Sequence, residues 1–390
     1  MSREVLVAGV GMTRFTTPKN AVPYTEMGGA AVRAALRDAG IEYTDVGSAF
    51  AGYLYGDTCA GQRVLYEIGM TGCPIVNVND ACATGSIALS LARQAVASGA
   101  VDCALALGFE QMTPGAPGTV FPDRPTPWDR YTEIVDSRYG PSDAPMAIRL
   151  FGGAAREYLE KTGASPAIFG KIAEKARRHA AKNPNAVFRD PLSVEEVMAS
   201  PCLYDPITRL QCCPPTCGAA AALVCSDDFA RRKGVARRVR IAAQAVVTDT
   251  EATFGGSLMD LVGYRMAAIA AARAYEEAGI GPEDIDVVEL HDCFASNEVA
   301  SYEALQLTPE GTAERFIADG DNTYGGRCVV NPSGGLISKG HPIGATGLAQ
   351  CAELVWQLRS EAGERQVEEA RVALQHNLGL GGCCVVTIYR

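Results

Sequence analysis

The chain has 390 residues, a formal net charge of -10, 47% hydrophobic and 21% charged residues, and 41 glycines. That composition supports a sizeable core and excludes a disordered or fibrous chain; the length suits two ordinary domains or one large two-part α/β unit. The negative charge excludes bulk attraction to nucleic acid or to an anionic membrane.

Short apolar runs alternate with amphipathic ones, the pattern of α/β layering. In chain order, residues 4–10 read as a strand, 26–38 as a helix, 46–54 and 75–78 as strands, 82–98 as a helix, and 102–109 and 219–225 as strands. An insertion at 112–216 separates the last two. It is rich in Pro, Gly and Asp over 113–143, then helical over 146–161 and 168–182, with a capping box from Ser193 to Glu196. After the basic stretch 231–240 the order begins again: strand 239–247, helix 260–278 closed by Gly279, strand 285–290, helix 296–305, an amphipathic helix over 347–360, and a closing hairpin of 372–376 with 384–389. The two halves match, which predicts a duplicated βαβαβαββ unit divided into residues 1–235 and 236–390.

Nothing at the start resembles a secretory signal, and no apolar run is long enough to span a bilayer, so the expectation is a cytoplasmic protein without membrane insertion. The 14 cysteines are spread along the chain, and Cys103, Cys225, Cys383 and Cys384 lie in apolar runs, where they read as small buried hydrophobes. The cluster Cys212, Cys213 and Cys217 lacks the nearby histidine or second cysteine pair of a zinc site, so no metal is expected.

Two stretches carry most of the chemistry. Ala81-Cys82-Ala83-Thr84-Gly85-Ser86 and Gly340-His341-Pro342-Ile343-Gly344-Ala345-Thr346-Gly347 both run through Ala-Thr-Gly into a helix. Cys82 at a helix start is placed for a lowered thiol pKa, with a buried turn cysteine as the plainer alternative. Of the four histidines, His179 sits in a charged helix and reads as surface, whereas His291, His341 and His376 adjoin strand ends or glycine-rich turns. Cys293 follows His291 by two residues and could act as acid or base on a carbon acid. The run Asn377-Leu378-Gly379-Leu380-Gly381-Gly382 could expose N–H groups to an oxyanion, as could any glycine-rich hairpin.

Taken together, these stretches, with Gly108-Phe109-Glu110-Gln111-Met112, His291-Asp292-Cys293-Phe294 and Asn331-Pro332-Ser333-Gly334-Gly335, resemble the thiolase superfamily, and specifically the thiolase domain of the sterol carrier protein 2/X type. The His-Asp-Cys-Phe tetrad discriminates: ordinary thiolases look like Asn-Glu-Ala-Phe there and carry a second cysteine where this chain has Asn377. The resemblance implies a five-layered αβαβα fold, a homodimer, and coenzyme A as cosubstrate with no permanently bound cofactor. It implies 3-oxoacyl-CoA thiolysis through an acyl-Cys82 intermediate. His341 would be the base and share an oxyanion hole with His291, Cys293 would be the second acid/base, and the N–H groups of Cys82 and Gly379 would hold the acyl oxygen. Alternatives on the same scaffold are a steroid side-chain retro-aldolase and a non-catalytic acyl-CoA or lipid-binding protein. The stretches 171–182 and 231–240 are candidates for the CoA phosphates, though a solvated helix face and a linker are the plainer readings of them.

Overall fold

The computed structural model describes residues 3–115, 118–119, 121–236 and 238–390; Met1 and Arg237 lie outside them. The first half contributes strands Val5–Met12, Ser48–Gly52, Ile75–Val78, Cys103–Glu110 and Gly218–Ser226, and the second Val239–Val247, Val287–Glu289, Val329–Val330, Ala373–Gly379 and Cys383–Tyr389. In both halves the spatial order is first, fifth, fourth, second, third. In both, the fifth strand runs antiparallel to its neighbours, and the second pairs in parallel with the fourth and third. The two first strands adjoin through Leu6 with Arg240 and Val7 with Val239, giving one ten-stranded sheet. The duplication read from the order of elements is therefore a repeated strand topology.

Alternation along the strands builds three core layers. Cys103, Leu105 and Leu107 face one core with the helix Tyr24–Ala39, while Ala104 and Ala106 face another. Ala219, Ala221 and Leu223 divide from Ala220, Ala222 and Val224 in the same way, because successive strand side chains point to opposite faces. The middle core holds the helices Thr84–Ala97 and Thr346–Leu358 between strand residues of both halves. The third core packs Tyr264–Ala278 and Ala295–Ala304 with the insertion helices Met146–Thr162 and Ala167–Ala180. The two halves of the ten-stranded sheet lie on either side of the middle helix pair, so helix, half-sheet, helix pair, half-sheet and helix make the five layers.

The paired Ala-Thr-Gly stretches meet at the centre. A Cβ on Gly85 would lie 2.7 Å from Gly344 O, and one on Gly347 would lie 2.2 Å from Ser86 Oγ, so only glycine permits this crossing.

Several sequence expectations change. Thr346–Leu358 is buried all round, and its polar side chains are satisfied internally: Gln350 Nε2 donates to His376 O at 3.0 Å, and Glu353 pairs with buried Arg365. The predicted helix 260–278 breaks at Gly263, whose φ of 97° no ordinary residue adopts readily, leaving Leu258–Leu261 and Tyr264–Ala278. A helix, Asp129–Tyr139, forms inside the Pro- and Gly-rich part of the insertion. His179 is 1% exposed, with Nδ1 3.0 Å from Asn331 O and Nε2 2.8 Å from Thr323 Oγ1; burial pushes it down to about 3. Lys175 is likewise inside, paired with Glu298 and donating to Val330 O, so it is withdrawn from any phosphate. The charged residues of this helix hid a face that docks on the second half.

Candidate active site

Cys82 sits in the turn between strand Ile75–Val78 and helix Thr84–Ala97. The turn is tight: Ala81 has φ 48°, Asp80 N–H donates to Thr84 Oγ1 at 2.7 Å, and that hydroxyl donates to Ala81 O at 2.6 Å. Cys82 is partly exposed as a residue, yet its thiol is enclosed, and burial pushes it up to about 12. The N–H groups of Leu380 and of Cys82 itself oppose that rise. The lowered thiol pKa expected from a helix start is thus reversed, because desolvation outweighs two amide dipoles and the helix begins only at Thr84. The amide that reaches the Cys82 sulfur is that of Leu380, one residue beyond Gly379, whose own N–H was expected at the acyl oxygen. Gly379 lets the strand end approach, since a Cβ there would lie 2.3 Å from Asp80 O.

His341 follows a single π-helical turn, Gly335–Lys339. Its N–H donates to Thr216 Oγ1 at 2.5 Å, and its Nδ1 lies 2.7 Å from Thr346 Oγ1. The Thr346 hydroxyl donates to Pro342 O at 2.9 Å and therefore accepts from His341 Nδ1–H. The Nε2 lone pair is left buried and without a hydrogen-bond partner among the described residues. Burial, with Lys339 nearby, pushes His341 down to about 3. His291 lies two residues beyond the strand Val287–Glu289; burial, then His341 and His376, hold it well below its ordinary value. One ligand-type atom each of Cys82, His291 and His341 lies within 4.8 Å of the others.

Cys293 is buried two residues on, its thiol held well above the ordinary value by burial and then by Cys213, Cys82 and Asp292. It is therefore a protonated acid in the resting site. The cysteine-rich loop that might have suggested zinc wraps this site: Cys213 N–H donates to Cys293 O at 2.9 Å, Cys212 bridges Phe294, and Pro215 bridges His341.

Carboxylates missed at the sequence level hold the loops together. Asp292 accepts Leu336 N–H at 2.7 Å, and Glu289 accepts Ser333 N–H at 3.0 Å and Lys339 Nζ at 3.1 Å. Both acids flank Leu290-His291 and grip the segment that leads to His341. Glu110 accepts N–H groups of Leu54, Tyr55 and Gly344 at 2.8–3.0 Å, joining the first half to the His341 turn; burial pushes it up to about 7. Only adjacency to the named motifs could have signalled these roles. Beside the Cys82 turn opens a cleft of about 560 Å³ lined by Tyr53, Leu54, Val78, Phe121, Pro127 and Trp128. Trp128 Nε1–H donates to Leu380 O at 3.2 Å, tying the insertion to the wall of the site.

A thiol with two amide N–H groups at its sulfur, ring nitrogens of His291 and His341 within 4.8 Å and a second buried thiol at Cys293 are groups of the kind that nucleophilic attack and oxyanion stabilisation require. The chain belongs to the thiolase family: residues 5–228 match "Thiolase, N-terminal domain" and residues 249–388 match "Thiolase C-terminal domain-like". It is 51% identical to sterol carrier protein 2 of Rattus norvegicus over 99% of this chain and 72% of that protein. It is 36% identical to an acetyl-CoA acetyltransferase of Methanothermobacter thermautotrophicus over 99% of both chains. Among solved structures it is similar to an Ltp2-ChsH2(DUF35) aldolase, with a TM-score of 0.82 at 24% identity, covering 98% of this chain and 97% of that one; that likeness speaks for the fold alone.

Proposed function

We propose that the protein is a 3-oxoacyl-CoA thiolase, an acyltransferase that cleaves a 3-oxoacyl-CoA with CoA as cosubstrate and needs no permanently bound cofactor. The carrying observation is that the Cys82 sulfur and a ring nitrogen of His341 lie within 4.8 Å of each other, while His341 Nε2 has no hydrogen-bond partner among the described residues. With the thiol up at about 12 and the imidazole down at about 3, both are neutral at rest, so the proton leaves sulfur for His341 as the new C–S bond forms. Cys82 attacks the 3-carbonyl, whose oxygen is held by the Cys82 amide and the Gly379–Leu380 strand end. The bond between carbons 2 and 3 then breaks. Its electron pair becomes a thioester enolate, whose oxygen meets His341, now protonated, and His291. Cys293 gives carbon 2 its proton, which releases acetyl-CoA, or propionyl-CoA from a 2-methyl substrate. The Cys293 thiolate next takes the proton of incoming CoA. That thiol displaces Cys82 as acyl-CoA, and His341 returns the first proton to Cys82.

The cleft beside the Cys82 turn, walled partly by the 112–216 insertion, pairs apolar Tyr53, Val78, Phe121 and Trp128 with Asn77, Asn79 and Arg124, a lining that suits a long, branched or sterol-derived acyl chain attached to a polar group. The edge strand Ile75–Val78, with Val76 43% and Met70 78% exposed, suits pairing with a second copy. A retro-aldolase needs no thiol nucleophile, and a carrier needs neither Cys82 nor Cys293; the assembled thiol and imidazole favour thiolysis.

Incubation with 3-oxoacyl-CoA and CoA should yield acetyl-CoA by mass spectrometry, and an acyl mass on the Cys82 peptide that Cys82→Ala lacks. Acyl-CoA binding without cleavage across several chain lengths would overturn the reading.

A further inference from the structure

Behind His291 runs a chain of hydrogen bonds whose direction is set by backbone carbonyls. Asn377 Nδ2 lies 3.0 Å from Cys82 O and 3.1 Å from His291 Nδ1, while its Oδ1 lies 2.7 Å from Ser86 Oγ. Gln375 Nε2 lies 2.7 Å from Gly347 O and 2.9 Å from Ser86 Oγ, while its Oε1 lies 2.5 Å from the Tyr389 hydroxyl. All five side chains are buried, so water cannot substitute for a missing partner.

A carbonyl oxygen only accepts. Gly347 O therefore requires the NH₂ end of Gln375, and Cys82 O the NH₂ end of Asn377. The rest follows by elimination. The two Gln375 protons go to Gly347 O and Ser86 Oγ, at 2.7 and 2.9 Å, ahead of Gln350 Oε1 at 3.4 Å, so the Ser86 hydroxyl turns its proton to Asn377 Oδ1. The second proton of the Asn377 amide then points at His291 Nδ1, which must accept it. Turning Asn377 over would set oxygen against Cys82 O and orphan buried polar groups at both ends of the amide.

We propose that Asn377 is a positioning residue that locks His291 in the Nε2–H tautomer, making the ring a hydrogen-bond donor to the reacting oxygen and not a second base. This rests on the thiolase reading for its catalytic consequence, though not for its geometry. His341 is set the opposite way by Thr346, with Nε2 bare. One ring thus receives the proton of Cys82 while its neighbour already offers one. The same polarity bears on metal. Cys82, His291 and His341 form a zinc-like donor set, but a ring nitrogen that carries a proton has no lone pair for an ion. Zinc would have to reverse the whole relay before binding there.

The test is ¹⁵N NMR of the full chain labelled at its four histidines, with His291 assigned by its loss in His291→Gln. In the wild type, His291 should show an unprotonated Nδ1 and a protonated Nε2 from pH 5 to 8. A protonated Nδ1 overturns the proposal without recourse to any variant. Asn377→Asp places an acceptor where the NH₂ stood, and should move the His291 proton to Nδ1. It should lower kcat for thiolysis by roughly a hundredfold, the usual cost of one oxyanion donor, with KM little changed. A folded Asn377→Asp protein with wild-type kcat and an unmoved tautomer would overturn it as well. A wild type that shows the Nε2–H tautomer yet cleaves no 3-oxoacyl-CoA would uphold the relay and remove only the proposed reaction.

Discussion

His291 and His341 meet edge to face, their ring centroids 5.1 Å apart and their planes at 83°. One Nδ1 is backed by an amide donor and the other by a hydroxyl acceptor, so two like side chains enter the site with opposite proton polarity.

That asymmetry makes Thr346 testable. Thr346→Val keeps the shape and removes the hydroxyl that accepts from His341 Nδ1. The bare-Nε2 tautomer then loses its advantage. A kcat loss of roughly tenfold is expected, equivalent to one neutral hydrogen bond, with Thr346→Ser restoring most of it. Steady-state kinetics of the two variants decide the matter.

Cys293 should be separable from Cys82. In Cys293→Ala the nucleophile and its base remain, so an acyl mass should still appear on Cys82. Multiple turnover should fall by roughly a hundredfold or more, because no acid stands at the departing carbon. Wild-type turnover in that variant would remove Cys293 from the mechanism.

Glu110 should impose a pH dependence on stability. Its carboxyl is raised from 4.5 to about 7 by burial, so the folded protein keeps a proton that the unfolded chain releases. Its favourable contribution is complete below pH 4.5 and is lost as pH rises through about 7, a change of roughly 3 kcal/mol. Glu110→Gln cannot titrate. Its deficit in unfolding free energy relative to wild type should therefore shrink between pH 5 and pH 8 in denaturant titrations. A deficit that does not vary with pH would show that Glu110 stays ionised throughout.

Lys175 and Glu298 form an ion pair with both side chains at most 3% exposed. Lys175→Met leaves the carboxylate without its cation. The expected cost is about 3–5 kcal/mol, read as a lowered Tm by calorimetry. A change below 1 kcal/mol would mean that Tyr302 and Asn331, the other partners of Glu298, suffice to hold it.

The open edge at Ile75–Val78 predicts association. Wild type should elute as a dimer in light-scattering chromatography, and Val76→Glu should shift it towards monomer by setting a charge on the exposed apolar edge. A monomeric wild type at micromolar concentration would contradict the homodimer.

Much of the fold was legible because its signals are local. Strand 239–247 was legible to the residue as an apolar run after a basic stretch, Ser193 and Glu196 marked a capping box, and Gly279 marked a helix end with φ 66°. Helix Thr346–Leu358 was misread because Gln350, Glu353 and Gln357 look like a wet face. A linear pattern cannot show that carbonyls and Arg365 wait for them inside. His179 and Lys175 were placed at the surface for the same reason.

The sequence by itself determined the repeat, the identity of the two thiols and the histidines, and the family they resemble, since these rest on residue type and order. Only the tertiary structure decided how those groups are protonated. Burial reversed the expected thiol shift at Cys82, the path of the chain brought the Leu380 amide to its sulfur, and Asn377 is oriented by the carbonyl of Cys82, 295 residues away in the chain. Desolvation and hydrogen-bond polarity depend on what surrounds an atom in three dimensions, and neighbours along the chain do not reveal it.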